Sequence, residues 1–391
     1  MKLACVVQRY GAGVAGGSER HCRELALRLA ARHDVTVLTT CAADYVTWSN
    51  EFPAGESVDG PLHVRRFPVS RPRRLKRFAE LSDEVFDGRA PEAQQEDWFR
   101  ENGPDCPALL DYLRAEGGLF DLVLFWTFRY APSFFGVPLV RDRAVLLPTA
   151  EEDRAVDLSV LEGFFQIPAA YLFLTPEEET LVSTRAGRRL QPSAVIGMGL
   201  EPAPPVVTPA PLRDPYLLYV GRVDRNKGCD TLLEYFTEYA AVHEGPSLVL
   251  AGPAKMQVPA HPRVRALGRV SDDERDALLQ SALALVVPSP FESLSIVLLE
   301  GWNRAVPAIV NARCAVLKGQ VRRANGGLYY RSSAEFAEAV ETLRASEPER
   351  RALGAQGLAY VEREYRWPTV MERVERLLDE ALALRRARPR A

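Results

Sequence analysis

At 391 residues the chain is longer than one hydrophobic core usually supports, so two domains of similar size are expected. Charged residues at 26% and hydrophobic residues at 47% are ordinary for a soluble globular protein, and a net charge of -3 speaks against a nucleic-acid partner. The six cysteines (Cys5, Cys22, Cys41, Cys106, Cys229, Cys314) are scattered without C-x-x-C spacing, which argues against a zinc site or a disulfide framework and fits a reducing compartment. Met1 runs straight into a strand-like segment and no apolar run approaches the length of a membrane span, so a cytoplasmic protein is expected.

Lys2 to Gln8 reads as a buried strand, Ser18 to Arg32 as an amphipathic helix with Leu25 and Leu29 on one face, and Val35 to Thr40 as a second strand. Strand, helix, strand with short connections begins a doubly wound parallel sheet. Further strands are expected at Leu62 to Phe67, Leu122 to Trp126, Ala144 to Leu147, Ala170 to Thr175 and Ala194 to Ile196. The stretch Glu201 to Pro215 (EPAPPVVTPAPLRDP) can neither continue a helix nor pair as a central strand, because proline lacks the donor and fixes its own torsion. A second alternating series then begins at Tyr216 to Val220 and continues at Ser247 to Ala251, Val264 to Leu267, Leu283 to Val287 and Val306 to Val310. The expected α/β architecture is a Rossmann-like domain over 1–203, a Pro-rich linker at 204–215, a second Rossmann-like domain over 216–365 and a helical tail over 366–391.

Three stretches carry chemistry. In YGAGVAGGSE, Gly11, Gly13 and Gly16 match G-x-G-x-x-G after a strand and before a helix, the fingerprint of an NAD-dependent oxidoreductase. Against that reading, Gln8, Arg9 and Tyr10 separate the strand from the first glycine, and the second strand ends in Thr39 and Thr40 where a ribose-binding acid should stand. A loop whose glycines allow close backbone approach and whose amides favour anions fits better, with a purely structural turn as the plainer form. In GRVDRNKGCDTLL, Arg222 and Lys227 project from a loop directly after a strand. Such a pair can neutralise a pyrophosphate without a metal, guanidinium as a fork and ammonium as a point charge, unless both are solvated loop charges. LVVPSPFESLSIVLLEGWNRAVPAIVN, from Leu285 to Asn311, reads as strand, loop, helix, strand, with Glu292 in the loop and Glu300 about a turn and a half into the helix. Two acceptor-only carboxylates at the rim of a crevice suit a ligand rich in hydroxyls, such as a sugar or a ribose; otherwise they are solvated residues flanking a buried helix.

GGSERHCRELALRLAARHDVTVLT, GRVDRNKG and ESLSIVLLE, in that order across two such domains, resemble the retaining glycosyltransferases of family 4, glycosyl transferases group 1. The resemblance covers nearly the whole chain. It implies the GT-B fold, two Rossmann-like doubly wound domains facing across a cleft. It further implies retaining, metal-independent and cofactor-free transfer from a nucleotide-diphosphate sugar to a glycan, lipid-linked or small-molecule acceptor, as in cell-surface polysaccharide biosynthesis. By the same resemblance Arg222 and Lys227 would hold the leaving diphosphate, and Glu300 would accept from the ribose hydroxyls. Glu292 would contact the donor sugar near its anomeric carbon, the amides around Ser295 and Ile296 would face the phosphates, and Gly221 would open the donor loop. Gly16 and Gly17 would let the amino-terminal loop close over donor and acceptor.

The chain departs from the family in two places. Ser293, Leu294 and Ser295 stand where members often carry a glycine-containing step, and no histidine occurs between His63 and His243 to fill an acceptor-side role. Glu151, Glu152 and Asp153 are the candidates for that role, or else a solvated acidic helix start. The alternatives within the fold are a nucleotide-sugar epimerase and a sugar-nucleotide-binding protein without catalysis. HVRRFPVSRPRRLKRF, from His63 to Phe78, suits a peripheral contact with an anionic membrane face or a lipid-phosphate acceptor through Arg73, Arg74 and Arg77, although such runs are more often solvated loops. The tail from Val361 reads as a helix kinked at Trp367 and Pro368; by resemblance it returns to the first domain, and it ends in frayed arginines.

Overall fold

Leu122–Trp126 (LVLFW) buries all five of its side chains, the pattern of a strand covered on both faces and therefore of a parallel sheet with helices on either side. The computed structural model, which describes residues 1–14, 16–206, 212 and 214–387, places this strand at the centre of the first of two sheets. The first sheet contains β1 (Lys2–Val6), β2 (Asp34–Thr40), β3 (Gly55–Asp59), β4 (Leu62–Phe67), β5 (Leu122–Trp126), β6 (Ala144–Leu147), β7 (Ala170–Phe173) and β8 (Ser193–Val195). Their order is β3-β4-β2-β1-β5-β6-β7-β8, parallel throughout except for β3 against β4.

The second sheet contains β9 (Tyr216–Val220), β10 (Ser247–Ala251), β11 (Val264–Gly268), β12 (Ala284–Val287), β13 (Ala308–Asn311) and β14 (Gly327–Tyr330), all parallel, in the order β11-β10-β9-β12-β13-β14. This is the doubly wound order, in which the winding direction reverses between β9 and β12 and leaves a crevice outside their carboxyl ends. In the first sheet the same reversal falls between β1 and β5.

The chain divides into one unit of Met1–Gly197 with Met371–Ala391, and another of Met198–Val370. The division falls at Gly197 rather than at residue 203, and the return at Met371 rather than at 366. Of the expected linker, residues 207–211 and 213 lie outside the described residues, as do 388–391 of the expected frayed tail. The expected kink is instead a boundary between helices: Glu347–Glu364 ends before Tyr365, and Trp367–Ala387 starts afresh with Pro368 in its first turn, where a missing amide donor costs nothing. Within the first unit this last helix is tied down by Glu375, which His33 Nε2 meets at 2.8 Å, and by Arg385, which donates to the Asp121 carbonyl at 2.9 Å.

Two apolar clusters hold the units. In the first, Phe99 on the helix Glu92–Asn102 stacks on Phe134 of the helix Ala131–Gly136 with ring centroids 3.9 Å apart, in one cluster with Phe125 of β5. In the second, Leu217, Leu250, Val286 and Ile309 from four neighbouring strands pack with Phe236 and Phe336 from helices. Each such side chain contributes about 1.5–3 kcal/mol by leaving water. All six cysteines are buried and unpaired, and among the described residues no helix is long and apolar enough to cross a membrane.

Candidate active site

In the second unit, β9 runs out at Val220 into the loop that carries Arg222 and Lys227. Asp224 organises this loop: its Oδ1 accepts from the Lys227 amide at 2.9 Å and caps the single turn Arg225–Lys227, while its Oδ2 accepts from Arg222 Nε. Gly228 follows with φ 71°, and a Cβ there would lie 2.3 Å from the Pro288 carbonyl oxygen. The loop after β9 is thus pressed onto the loop after β12, which only a residue without a side chain permits. Asn311 holds the other side of that second loop by donating from Nδ2 to the Pro288 oxygen at 3.0 Å.

This close approach brings Lys227 Nζ to 2.8 Å from Glu292 Oε1, joining residues 65 apart in sequence. Their side chains are 34% and 13% exposed, so the pair is partly shielded yet open on the lysine side. Charges held apart from bulk water act more strongly than the same pair at the surface. Beyond Glu292, Ser295 adopts φ 64° and starts the short helix Ile296–Trp302; its buried Oγ has no hydrogen-bond partner among the described residues. The helix is anchored at its far end, where Trp302 Nε1 donates to the Gly326 carbonyl at 2.7 Å. Glu300 sits half-buried on it, within the field of Arg275. Burial opposes the charge of Arg275, but Glu300, Asp272 and Asp276 more than offset it and raise its pKa.

Arg222, Lys227, Glu292, Ser295, Ile296 and Glu300 therefore all lie on the loops and helix that follow β9 and β12, at the reversal of the sheet. Asp224 and Arg275 were not singled out by sequence reasoning. Asp224 had a visible signal, an acid three residues before Lys227 that can cap a turn.

The first unit differs. Gly16 and Gly17 precede and begin the helix Gly17–Leu29, but the space beside them is filled from within. A Cβ on Gly16 would lie 2.1 Å from Glu19 Oε2. Glu19, 5% exposed, accepts from Arg9 Nε at 2.8 Å and from Gln8 Nε2 at 2.9 Å on Oε1, and from Ser18 Oγ at 2.9 Å on Oε2. The protein's own carboxylate thus occupies the first turn, where a dinucleotide pyrophosphate would need to lie.

On this helix His21 is buried: its Nδ1 accepts from Trp126 Nε1 at 2.9 Å, so its Nε2 carries the proton and donates to the Gly197 carbonyl at 2.9 Å. Burial pushes its pKa down to about 4, despite the opposing effect of the Gly197 contact. Glu151, Glu152 and Asp153 lie in the loop after β6. Glu152 is exposed, whereas Asp153 Oδ2 accepts from Arg129 Nη2 at 2.6 Å. Glu151 lies in the field of Glu178, a buried carboxyl that burial pushes up to about 8. The basic run is largely neutralised by neighbours: Glu101 pairs with Arg71 at 3.0 Å and Arg74 at 2.6 Å, and Arg77 faces Glu84 at 3.6 Å.

Two parallel, doubly wound units, the second in Rossmann order, define the GT-B class, and solved structures agree. Sucrose-phosphate synthase from Thermosynechococcus elongatus superposes with a TM-score of 0.70 at 17% identity, over 98% of this chain and 99% of that one. The structure described as "Trehalose-6-phosphate from E. coli bound with UDP-2-fluoro glucose" gives a TM-score of 0.72 at 14% identity, over the whole of both chains. Residues 205–359 match the sequence model of the family described as glycosyl transferases group 1. Glycogen synthase of Mycobacterium tuberculosis (strain CDC 1551 / Oshkosh) is 26% identical over 340 residues, which span 80% of this chain and 78% of the relative. The chain is a glycosyltransferase of the GT-B class, and its second unit carries the glycosyl transferases group 1 domain.

Proposed function

We propose that the protein binds a nucleoside-diphosphate sugar on its second unit and transfers the sugar, with retention and without a metal, to a hydroxyl-bearing acceptor. The observation that carries this reading is the Lys227–Glu292 pair, 2.8 Å apart at the sheet reversal and flanked by Arg222. Departure of a nucleoside diphosphate develops negative charge on its phosphates, and fixed cations at that point stabilise the transition state more than the ground state. Lys227 and Arg222 supply that charge; each is already aimed by a carboxylate, so little reorganisation is needed on binding. Glu292 lies beside Lys227 and thus near the bond that breaks, where a carboxylate stabilises an oxocarbenium-like centre. Glu300 accepts from the ribose hydroxyls, and the amides around Ser295 and Ile296 face the phosphates. The solved relative that holds a UDP-sugar analogue supports a donor of this kind. Retention rests on the family resemblance.

The test is release of nucleoside diphosphate from UDP-, GDP- and ADP-sugars, with and without candidate sugar acceptors, in the presence and absence of a chelator. Acceptor-dependent release that persists with chelator is expected. Conversion of the donor sugar without any acceptor would contradict transfer.

A further inference from the structure

The first unit holds cations that the donor reading does not use. Arg73 stacks between Trp48 and Phe78, its guanidinium 4.9 Å and 4.7 Å from their ring centres, and donates from Nε at 2.9 Å and from Nη2 at 2.5 Å to the Asn102 carbonyl. Unlike the neighbouring arginines of the basic run, it has no carboxylate within ion-pair distance among the described residues, and its Nη1 has no hydrogen-bond partner there. The acids that act on it are engaged elsewhere: Glu101 with Arg71 and Arg74, and Asp44 with the Thr47 amide and hydroxyl.

Asn102, which holds Arg73, also donates from Nδ2 to the Arg129 carbonyl at 3.0 Å, tying both arginines to one point. Next to Arg129 in the chain, Tyr130 is half-buried, its ring edge-on to Trp48, the ring that Arg73 also covers, at 5.2 Å, and its hydroxyl has no hydrogen-bond partner among the described residues. Burial and Glu19 raise the Tyr130 pKa while Arg129, Arg73 and Arg9 lower it, so three guanidiniums act on this one hydroxyl. Of the facing acids, Glu19 is held by Arg9 and Asp153 by Arg129.

The surrounding backbone is strained at three positions: Trp48 at φ 60°, Thr127 at φ 58° and Thr149 at φ 47°. Bulky and β-branched residues avoid this region, and such strain collects at ligand sites. Thr127 and Thr149 follow β5 and β6 at their carboxyl ends, the edge at which open sheets bind ligands.

We propose that Arg73, Arg129 and the Tyr130 hydroxyl form a subsite for an anionic group, a phosphate monoester or a carboxylate, carried by the acceptor sugar. The proposal rests on reading the first unit as the acceptor side. Arg73 presents its unpartnered Nη1, Arg129 its Nε and Nη1 beside the Asp153 bond, and Tyr130 a neutral donor.

The test is calorimetric titration of the 391-residue protein, without donor, with inorganic phosphate, glucose 6-phosphate, glucuronate and glucose. At least one anionic sugar should bind roughly tenfold or more tightly than glucose, and the stronger of the two identifies the group. Arg73→Gln should weaken that binding by roughly tenfold or more and Tyr130→Phe by a few-fold, whereas Arg77→Gln on the same basic run should leave it unchanged. If Arg73→Gln fails to fold, Tyr130→Phe and Arg129→Lys carry the comparison. Equal affinity for glucose and the anions, no anion binding, or full affinity in the folded variants would overturn the proposal. Because donor is omitted, this result is independent of whether the protein transfers sugar.

Discussion

The two units place a glycine-bearing loop at the same point of the same kind of sheet, yet one loop is closed and the other open. After β1, the niche beside Gly16 is filled by Glu19, buried with Arg9 and Gln8. After β9, Gly228 instead lets two loops meet, and the resulting Lys227–Glu292 pair leaves its cation one-third exposed. The glycines alone do not say which loop receives an anion; the side chain that the helix or the neighbouring loop sends into the space decides it. In the first unit the ligand-facing cations stand away from the glycines, at Arg73 and Arg129.

The largest effect should come from opening the closed loop. Glu19→Ala leaves Arg9 buried without its carboxylate, and breaking such a pair costs about 3–5 kcal/mol. Differential scanning calorimetry should show a drop of that size in stability, while a folded remnant should still bind nucleotide through the second unit.

Next is the pH dependence of the first unit. His21 is neutral when folded and has a pKa depressed to about 4, so the unfolded chain takes up a proton that the folded chain refuses. The resulting stability is fully present above the unfolded value near 6.5 and is lost as pH falls from there toward 4, an effect on the order of 3 kcal/mol. Urea unfolding of the parent and of His21→Gln between pH 7 and pH 4 should converge as this contribution disappears; parallel curves would contradict it.

A smaller effect should come from crowding the open loop. Gly228→Ala forces a Cβ against the Pro288 oxygen at a positive φ, at a cost of about 1–3 kcal/mol. Nucleoside diphosphate affinity should fall with it, since the substitution parts Lys227 from Glu292. Stability loss with unchanged affinity would show that the pairing does not matter to binding.

Much of the fold was legible because parallel strands buried on both faces are continuous apolar runs, as in β5, β9 and β10. The strand β3 (GESVD) was missed: it is an exposed, antiparallel edge with no alternation to read. At the site, Arg222, Lys227, Glu292 and Glu300 were legible as residue types in loops, but the contact between Lys227 and Glu292 depends on Gly228 meeting Pro288 across the sheet. Arg73 was read as part of a solvated or membrane-facing run, whereas Trp48, Phe78 and Asn102, all distant in sequence or silent in pattern, turn it inward. Tyr130 carried no signal of its own, because its importance comes from three arginines that other segments deliver.

On the reading proposed above, the loops after β9 and β12 hold the diphosphate of the donor. Calorimetric titration of UDP, GDP and ADP into the parent and into Lys227→Ala tests it most directly. The preferred nucleotide should bind the variant roughly tenfold or more weakly with the melting temperature retained. Equal affinity in a folded Lys227→Ala would contradict it.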